Sequence, residues 1–128
     1  MTGTIVVAAS RVVVRHRAGG DPFAPGPWHD LVVEHRVETT ELGILGIRVE
    51  ADEPTVEVRI TLHEAARGQG YATEALGAVV THALAERGYV RVVAFAASTD
   101  DRTQHLLERV GLNAVAVDGD DLVYLRRA

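Results

Sequence analysis

Thr61-Leu-His-Glu-Ala-Ala-Arg-Gly-Gln-Gly-Tyr-Ala-Thr-Glu-Ala-Leu76, continued to Gly88, reads as a strand end, a glycine-containing loop and then a helix. Ahead of it Val56, Val58, Ile60 and Leu62 alternate as a half-buried strand does. Behind it Ala72, Ala75, Leu76, Val79, Val80, Ala83 and Leu84 fall at helical spacing on one stripe. Between the two lie Arg67, Gly68, Gln69 and Gly70. Glycines at a strand-to-helix junction let the backbone turn sharply and leave the first helical N–H groups bare. An anion can then dock on the positive end of the helix dipole. The spacing fits neither Gly-x-x-x-x-Gly-Lys-Ser/Thr nor Gly-x-Gly-x-x-Gly with an acidic residue after a second strand.

Outward from this stretch, the chain reads as strands before it and a mixed segment after it. Thr4 to Arg17 is rich in β-branched residues and predicts one long or bent strand at a sheet edge. Ala18 to Trp28 contains Pro22, Pro25 and Pro27 and must be a loop. Leu31–Glu38, Leu42–Glu50 and Thr55–Leu62 predict an antiparallel meander. Gly88 is placed to end the helix, and Val90–Ala96 predicts a strand that the helical crossover makes parallel to Thr55–Leu62. Ser98-Thr99-Asp100 offers N-caps for a second helix, Asp101 to Val110, closed by Gly111. Asn113–Asp118 and Leu122–Arg126 flank Gly119-Asp120 as a hairpin. The fold class that follows is α+β: a mixed, mostly antiparallel sheet with a central parallel βαβ unit and two main helices, in one domain spanning residues 1–128.

Composition bounds the chemistry. The 128-residue chain has no cysteine, which excludes disulfides and thiolate metal sites and suits a cytoplasmic location. A net charge of −5 argues against nucleic acid as a partner. The N-terminus lacks the basic start of a secretory leader, and no segment approaches the roughly 20 apolar residues of a membrane span, so no membrane association is expected. The histidines His16, His29, His35, His63, His82 and His105 form no His-x-His or His-x-x-x-His pair, so no metal is expected.

The loop residues resemble the acyl-CoA loop of the GCN5-related N-acetyltransferase family, Gln/Arg-x-x-Gly-x-Gly/Ala, here Arg67, Gly70 and Ala72. The run Arg67–Leu76 is similar to the branch that acetylates ribosomal-protein N-termini and to its small-molecule relatives. Downstream, Asp100-x-x-Thr103 and Glu108-Arg-Val-Gly111-Leu112 follow the family's Asn-x-x-Ser/Ala and Glu-x-x-Gly-Phe in spacing. The resemblance spans roughly Leu42 to Ala128, about two thirds of the chain. It implies acetyl-CoA as cosubstrate, without a metal. The residues implied to hold it are Thr61, Leu62, His63, Arg67, Gly68, Gln69, Gly70, Tyr71, Ala72, Thr73, Asp100 and Thr103. It also implies backbone oxyanion donors near Thr61 to His63, Glu57 as base with His63 as runner-up, and Thr103 or Ser98 as donor to the leaving sulfur.

Four departures are visible. Asp100 stands where Asn is usual, and a carboxylate accepts but does not donate. Leu112 replaces Phe. Leu107 occupies the place of a Tyr that protonates the departing thiolate in many members. Between the first two strands, where the family carries two acceptor-walling helices, lies the loop 18–30. The acceptor site is then open, or covered by Phe23 and Trp28 at the loop tip, or by the second subunit of a homodimer. The resemblance thus implies an N-acetyltransferase acting on an amine acceptor, small molecule or peptide. The alternatives are a catalytically degenerate CoA-binding or interaction protein of the same fold, or half of a tandem protein.

Overall fold

The computed structural model describes residues 3–128. Its elements run β1 (Thr4–Ala8), β2 (Val12–His16), β3 (His29–His35), β4 (Glu41–Val49), β5 (Thr55–Leu62), α1 (Tyr71–Thr81), β6 (Arg91–Ala97), α2 (Asp101–Arg109), β7 (Asn113–Asp118) and β8 (Asp121–Arg127). All eight strands form one sheet in the order β1-β2-β3-β4-β5-β6-β8-β7. Every pairing is antiparallel except β5 with β6, which α1 connects as a crossover. Among the described residues no helix is long and apolar enough to cross a membrane.

The first segment departs from expectation. Thr4–Arg17 is two antiparallel strands, with Thr4 opposite His16 and Ala8 opposite Val13. The turn at Ala9–Arg11 lacks Gly, Pro, Asn and Asp and has in Ser10 alone a weak turn signal. It is closed from outside: the Glu74 carboxylate of α1 accepts hydrogen bonds from the Arg11 N–H at 2.5 Å and the Val12 N–H at 3.2 Å. The helical segment after the glycine loop widens into a π turn at His82–Glu86 before Gly88, at φ +76°, ends it.

Register gives the sheet two faces. Leu45, Ile47 and Val49 stand opposite Ile60, Val58 and Val56, and Val92, Ala94 and Ala96 share their side. Ala75, Leu76, Val79 and Val80 of α1 and Leu107 of α2 complete that core. The outer face carries Arg15, Glu34, Arg48, Glu57, Arg59 and Phe95, several of them ion-paired: Arg15 with Glu34 at 3.1 Å and Arg48 with Glu57 at 2.5 Å.

Phe23 and Trp28 are not a paired lid. Phe23 is 2% exposed, packed 5.5 Å from the Tyr89 ring and 5.9 Å from His82 on the helix side. Trp28 lies on the outer face over Gly46, where a Cβ would meet the indole at 3.0 Å. Arg59 and Arg48 stack on it at 3.9 and 4.9 Å from the ring centroid. The loop is tied to the helical segment by Asp21, which accepts two hydrogen bonds from the Arg87 guanidinium at 2.9 and 2.7 Å.

The hydrogen bonds from Arg87 outweigh desolvation and hold the Asp21 carboxyl down at about 2. A group whose proton is held less tightly in the folded than in the unfolded chain stabilises above the unfolded value and loses that effect as pH falls. Asp21→Asn is therefore expected to lower the melting temperature at pH 7, by the equivalent of about 0.2–1 kcal/mol for an exposed pair. The difference from the parent should close as pH falls from about 4 to about 2. Melting curves across that range check it.

Candidate functional site

The sheet splits at its centre. β5 pairs with β4 along its whole length, from Val56 opposite Val49 to Leu62 opposite Gly43. It pairs with β6 only over Thr55–Glu57 against Arg91–Val93. Past that point β6 stays with β8 out to Ala97 opposite Asp121. The last residues of β5 thus have a strand on one side and a gap on the other, so no strand takes their backbone groups on the gap side, where the Leu62 carbonyl accepts instead from Arg67 Nε at 3.2 Å. The gap opens into a cleft of about 940 Å³.

The cleft's upper wall is the glycine loop. A single 3₁₀ turn, Glu64–Ala66, leads from β5 into Gly68 and Gly70, at φ +79° and +82°. These left-handed angles suit glycine and are costly for a residue with a Cβ. Gly70 caps α1, whose hydrogen-bond ladder starts with the Glu74 N–H donating to Gly70 O at 3.1 Å. No protein acceptor among the described residues takes the N–H groups of Gly68 to Thr73. A second wall is α2, which turns Asp100, Arg102, Thr103, Leu106 and Arg109 toward the cleft. Arg67, Arg102 and Arg109 face a single lining carboxylate, Asp100, so in a chain of net charge −5 this cleft is locally basic.

Of the residues singled out in the sequence, the structure brings together Thr61, Leu62, Arg67, Gly68, Gly70, Tyr71, Ala72, Thr73, Asp100 and Thr103 along the cleft. Tyr71 does so while largely buried, its ring against His35. Gln69, His63 and Glu57 are not in the lining. His63 Nε2 sits 2.9 Å from Glu41 Oε2. Glu57, on the outer face at the last paired position before the split, borders a separate hollow of about 230 Å³ with Arg48.

Thr103 does not fit the donor role. Its hydroxyl donates to Asp100 Oδ2 at 2.6 Å and its N–H to Asp100 Oδ1 at 3.1 Å, which is N-cap geometry. Those two hydrogen bonds, the hydroxyl's first, hold the Asp100 carboxyl below its ordinary range. The hydroxyl proton is thus committed to a carboxylate that stays ionised. Leu107 is buried in the core while Leu106 faces the cleft, so no hydroxyl takes the place of the absent tyrosine on α2.

Three arginines escaped the sequence reading. Arg102 and Arg109 share the cleft face of α2 with Leu106, a spacing of four and three residues that was legible but overshadowed by the apolar stripe. Arg11 was not legible. From the β1–β2 turn its guanidinium donates to Gln69 O at 2.9 Å and to Glu74 Oε1 at 2.8 Å, and it stacks on Tyr71 at 4.7 Å. It braces the glycine loop from behind. Burial pushes the Glu74 carboxyl up, but the Arg11 backbone and side-chain hydrogen bonds bring it below its ordinary range.

A family model described as an acetyltransferase (GNAT) domain matches residues 9–113. No curated protein sequence matches the chain. Among solved structures, an acetyltransferase of the GNAT family from Bacillus anthracis superposes with a TM-score of 0.80 at 12% identity, over 94% of this chain and 97% of that one. Spermidine N-acetyltransferase from Vibrio cholerae, in complex with CoA and spermine, gives 0.69 at 14% identity over 78% and 65%. Mycobacterium smegmatis RimJ, in complex with CoA-disulfide, gives 0.69 at 20% over 80% and 54%. The chain therefore spans nearly all of the first structure and under two thirds of the other two; at these identities the likeness is one of fold.

Because Glu74 accepts from both the Arg11 and the Val12 N–H, Glu74→Ala is expected to speed amide hydrogen exchange at Arg11 and Val12 by about an order of magnitude, the worth of hydrogen bonds to a charged group. Exchange in the β4–β5 ladder should be unchanged.

Proposed function

The chain belongs to the acetyltransferase (GNAT) family, and from that membership we propose that it transfers an acetyl group from acetyl-CoA to a primary amine by direct attack. The observation that carries the reading is the junction of two backbone surfaces at one basic cleft: the gap side of β5, which no strand pairs, and the bare N–H groups of Gly68 to Thr73. The residues fit the cosubstrate. A pyrophosphate would rest on the α1 N-terminus with Arg67 beside it, and an amide-bearing arm would take strand-like hydrogen bonds from β5. When bound, acetyl-CoA supplies the activated acetyl group and the thiolate leaving group.

The chain's own residues then have three tasks. Of the backbone N–H groups near Thr61 to His63, that of Leu62 faces the gap, since the His63 N–H donates to Leu42 O at 2.9 Å on the β4 side; it stabilises the charge that develops on the carbonyl oxygen as the amine nitrogen bonds to its carbon and the carbon–sulfur bond breaks. The cleft walls hold the reactants in line. A base removes the amine proton, and Glu57, at the apex of the split, takes that role through water from the outer face. Asp100 does not compete for it, being the N-cap partner of Thr103. The leaving sulfur draws its proton from solvent or from the amine, since the Thr103 hydroxyl is engaged. Residues 1–128 act as one acetyltransferase domain in which the loop 18–30 replaces acceptor helices, so the amine approaches over the outer sheet face.

Gly70→Val puts a β-branched residue at φ +82° with its Cβ 3.3 Å from Arg11 Nη2. CoA affinity in calorimetry should fall at least roughly tenfold while the circular dichroism spectrum is kept, the left-handed angle alone costing about 1–2 kcal/mol. Unchanged affinity would sink the cradle.

Thiol release from acetyl-CoA in the presence of an amine panel should slow by roughly tenfold or more in Glu57→Gln, in the range of acid–base catalysis. A smaller loss moves the role to water or His63. CoA binding with no thiol release for any amine would identify a degenerate member instead.

A further inference from the structure

We propose that Arg11 is a positioning residue for the pyrophosphate of CoA: from behind the glycine loop it turns the Gly70 N–H toward the cleft and neutralises the Glu74 carboxylate that α1 carries at the same end. This role rests on the acetyl-CoA reading and extends it to a residue of the β1–β2 turn, outside the cleft lining.

The orienting effect follows from one peptide. Arg11 Nη1 donates to Gln69 O at 2.9 Å. The Gln69 C=O and the Gly70 N–H belong to the same trans peptide plane and point in opposite directions. With the oxygen fixed on Arg11, the N–H is aimed to the other side, where Gly70 lines the cleft. The flanking glycines have no side chain to hold that plane, so its direction depends on the contact to Arg11. The guanidinium is itself fixed: Nε donates to Glu74 Oε1 at 2.8 Å, Cζ lies 4.7 Å from the centroid of the Tyr71 ring, and His35 meets that ring edge-on at 5.8 Å. A planar fork reaches both acceptors while it stacks, which a lysine ammonium does not.

The second effect is charge. A carboxylate in the first turn suits the helix dipole but opposes an anion docked on the same end. Glu74 is that carboxylate. It stays in place with or without the guanidinium, because its Oε2 takes the backbone N–H groups of Arg11 and Val12. Among the described residues its one ion-pair partner is Arg11. Truncating the arginine side chain therefore leaves the turn closed and the negative charge uncompensated. The Glu74 side chain is only 18% exposed, so solvent screens it weakly within a helical turn of the bare N–H groups. A mere brace predicts that losing either partner harms the loop and that losing both harms it no less. Neutralisation predicts the opposite sign for the second loss.

Calorimetry with CoA on the full chain, alongside melting curves, reads this as a double-mutant cycle. Arg11→Ala should weaken CoA binding roughly tenfold, from a misdirected N–H and a nearby unpaired charge. Glu74→Gln alone should change it by less than about threefold. Arg11→Ala/Glu74→Gln should bind CoA about threefold or more tighter than Arg11→Ala while melting no higher than it. Affinity regained without stability regained is what bracing alone does not give. If Arg11→Ala melts below the assay temperature, Arg11→Gln, which keeps most of the stem and removes the charge, takes its place in the cycle with the same expectations. An arginine variant with the parent's CoA affinity overturns the proposal, as does a double variant that binds no tighter than the arginine variant. A parent that does not bind CoA at all removes the acetyl-CoA reading, and this role with it.

Discussion

The split between β5 and β6 is the constraint on which the rest depends. A parallel pair needs a crossover, and the crossover helix must start where the first strand ends. The backbone surface freed on β5 and the bare N-terminus of α1 are therefore adjacent by topology. Had β5 and β6 paired along their full length, the gap side of β5 would be satisfied by the sheet and the helix end would look onto a closed surface. Beyond the split β6 remains in the sheet through β8, which pairs with it from Arg91 to Ala97.

A glycine loop that carries two left-handed residues is conformationally free in the unfolded chain and must be held in the folded one. Arg11 and Glu74 do this reciprocally. Glu74 closes the β1–β2 turn with its carboxylate, and the arginine of that turn reaches back to the Gln69 carbonyl. The loop and the edge hairpin thus order one another. A backbone carbonyl turned toward Arg11 also leaves the neighbouring N–H groups free to face the cleft.

The legibility of the sequence tracks the range of the interactions. Strand alternation, the glycine junction, the apolar stripe and the Asp100 N-cap are settled within a few residues, and β5, α1, α2 and the β7–β8 hairpin were read close to their observed limits. The β1–β2 turn was missed because the acceptor of its Arg11 and Val12 N–H groups is Glu74, more than sixty residues away. The same separation hid Arg11. Prolines marked 18–28 as loop correctly, but nothing local says that Phe23 goes to the helix side and Trp28 to the outer face. For Thr103 the spacing places the side chain on the cleft, and the geometry adds that its hydroxyl donates to Asp100 Oδ2.

That division of the loop's aromatics bears on how the outer face can recognise anything. With Phe23 spent on the core, Trp28 is the loop's one large side chain on that face, clamped by Arg48 and Arg59 and seated on the gap left by Gly46. Glu34 is held by Arg15 and Arg17, Asp30 by Arg59, and Glu57 by Arg48. The face is therefore a lattice of internally matched charges rather than a pocket of one sign. On the proposed reading, a cationic amine arriving over β2–β5 would find, among the described residues, no unpaired carboxylate on those strands and would have to displace an arginine to reach one. Selectivity would then come from that exchange, chiefly at Arg48–Glu57, where the displaced guanidinium still has the Trp28 ring to rest on.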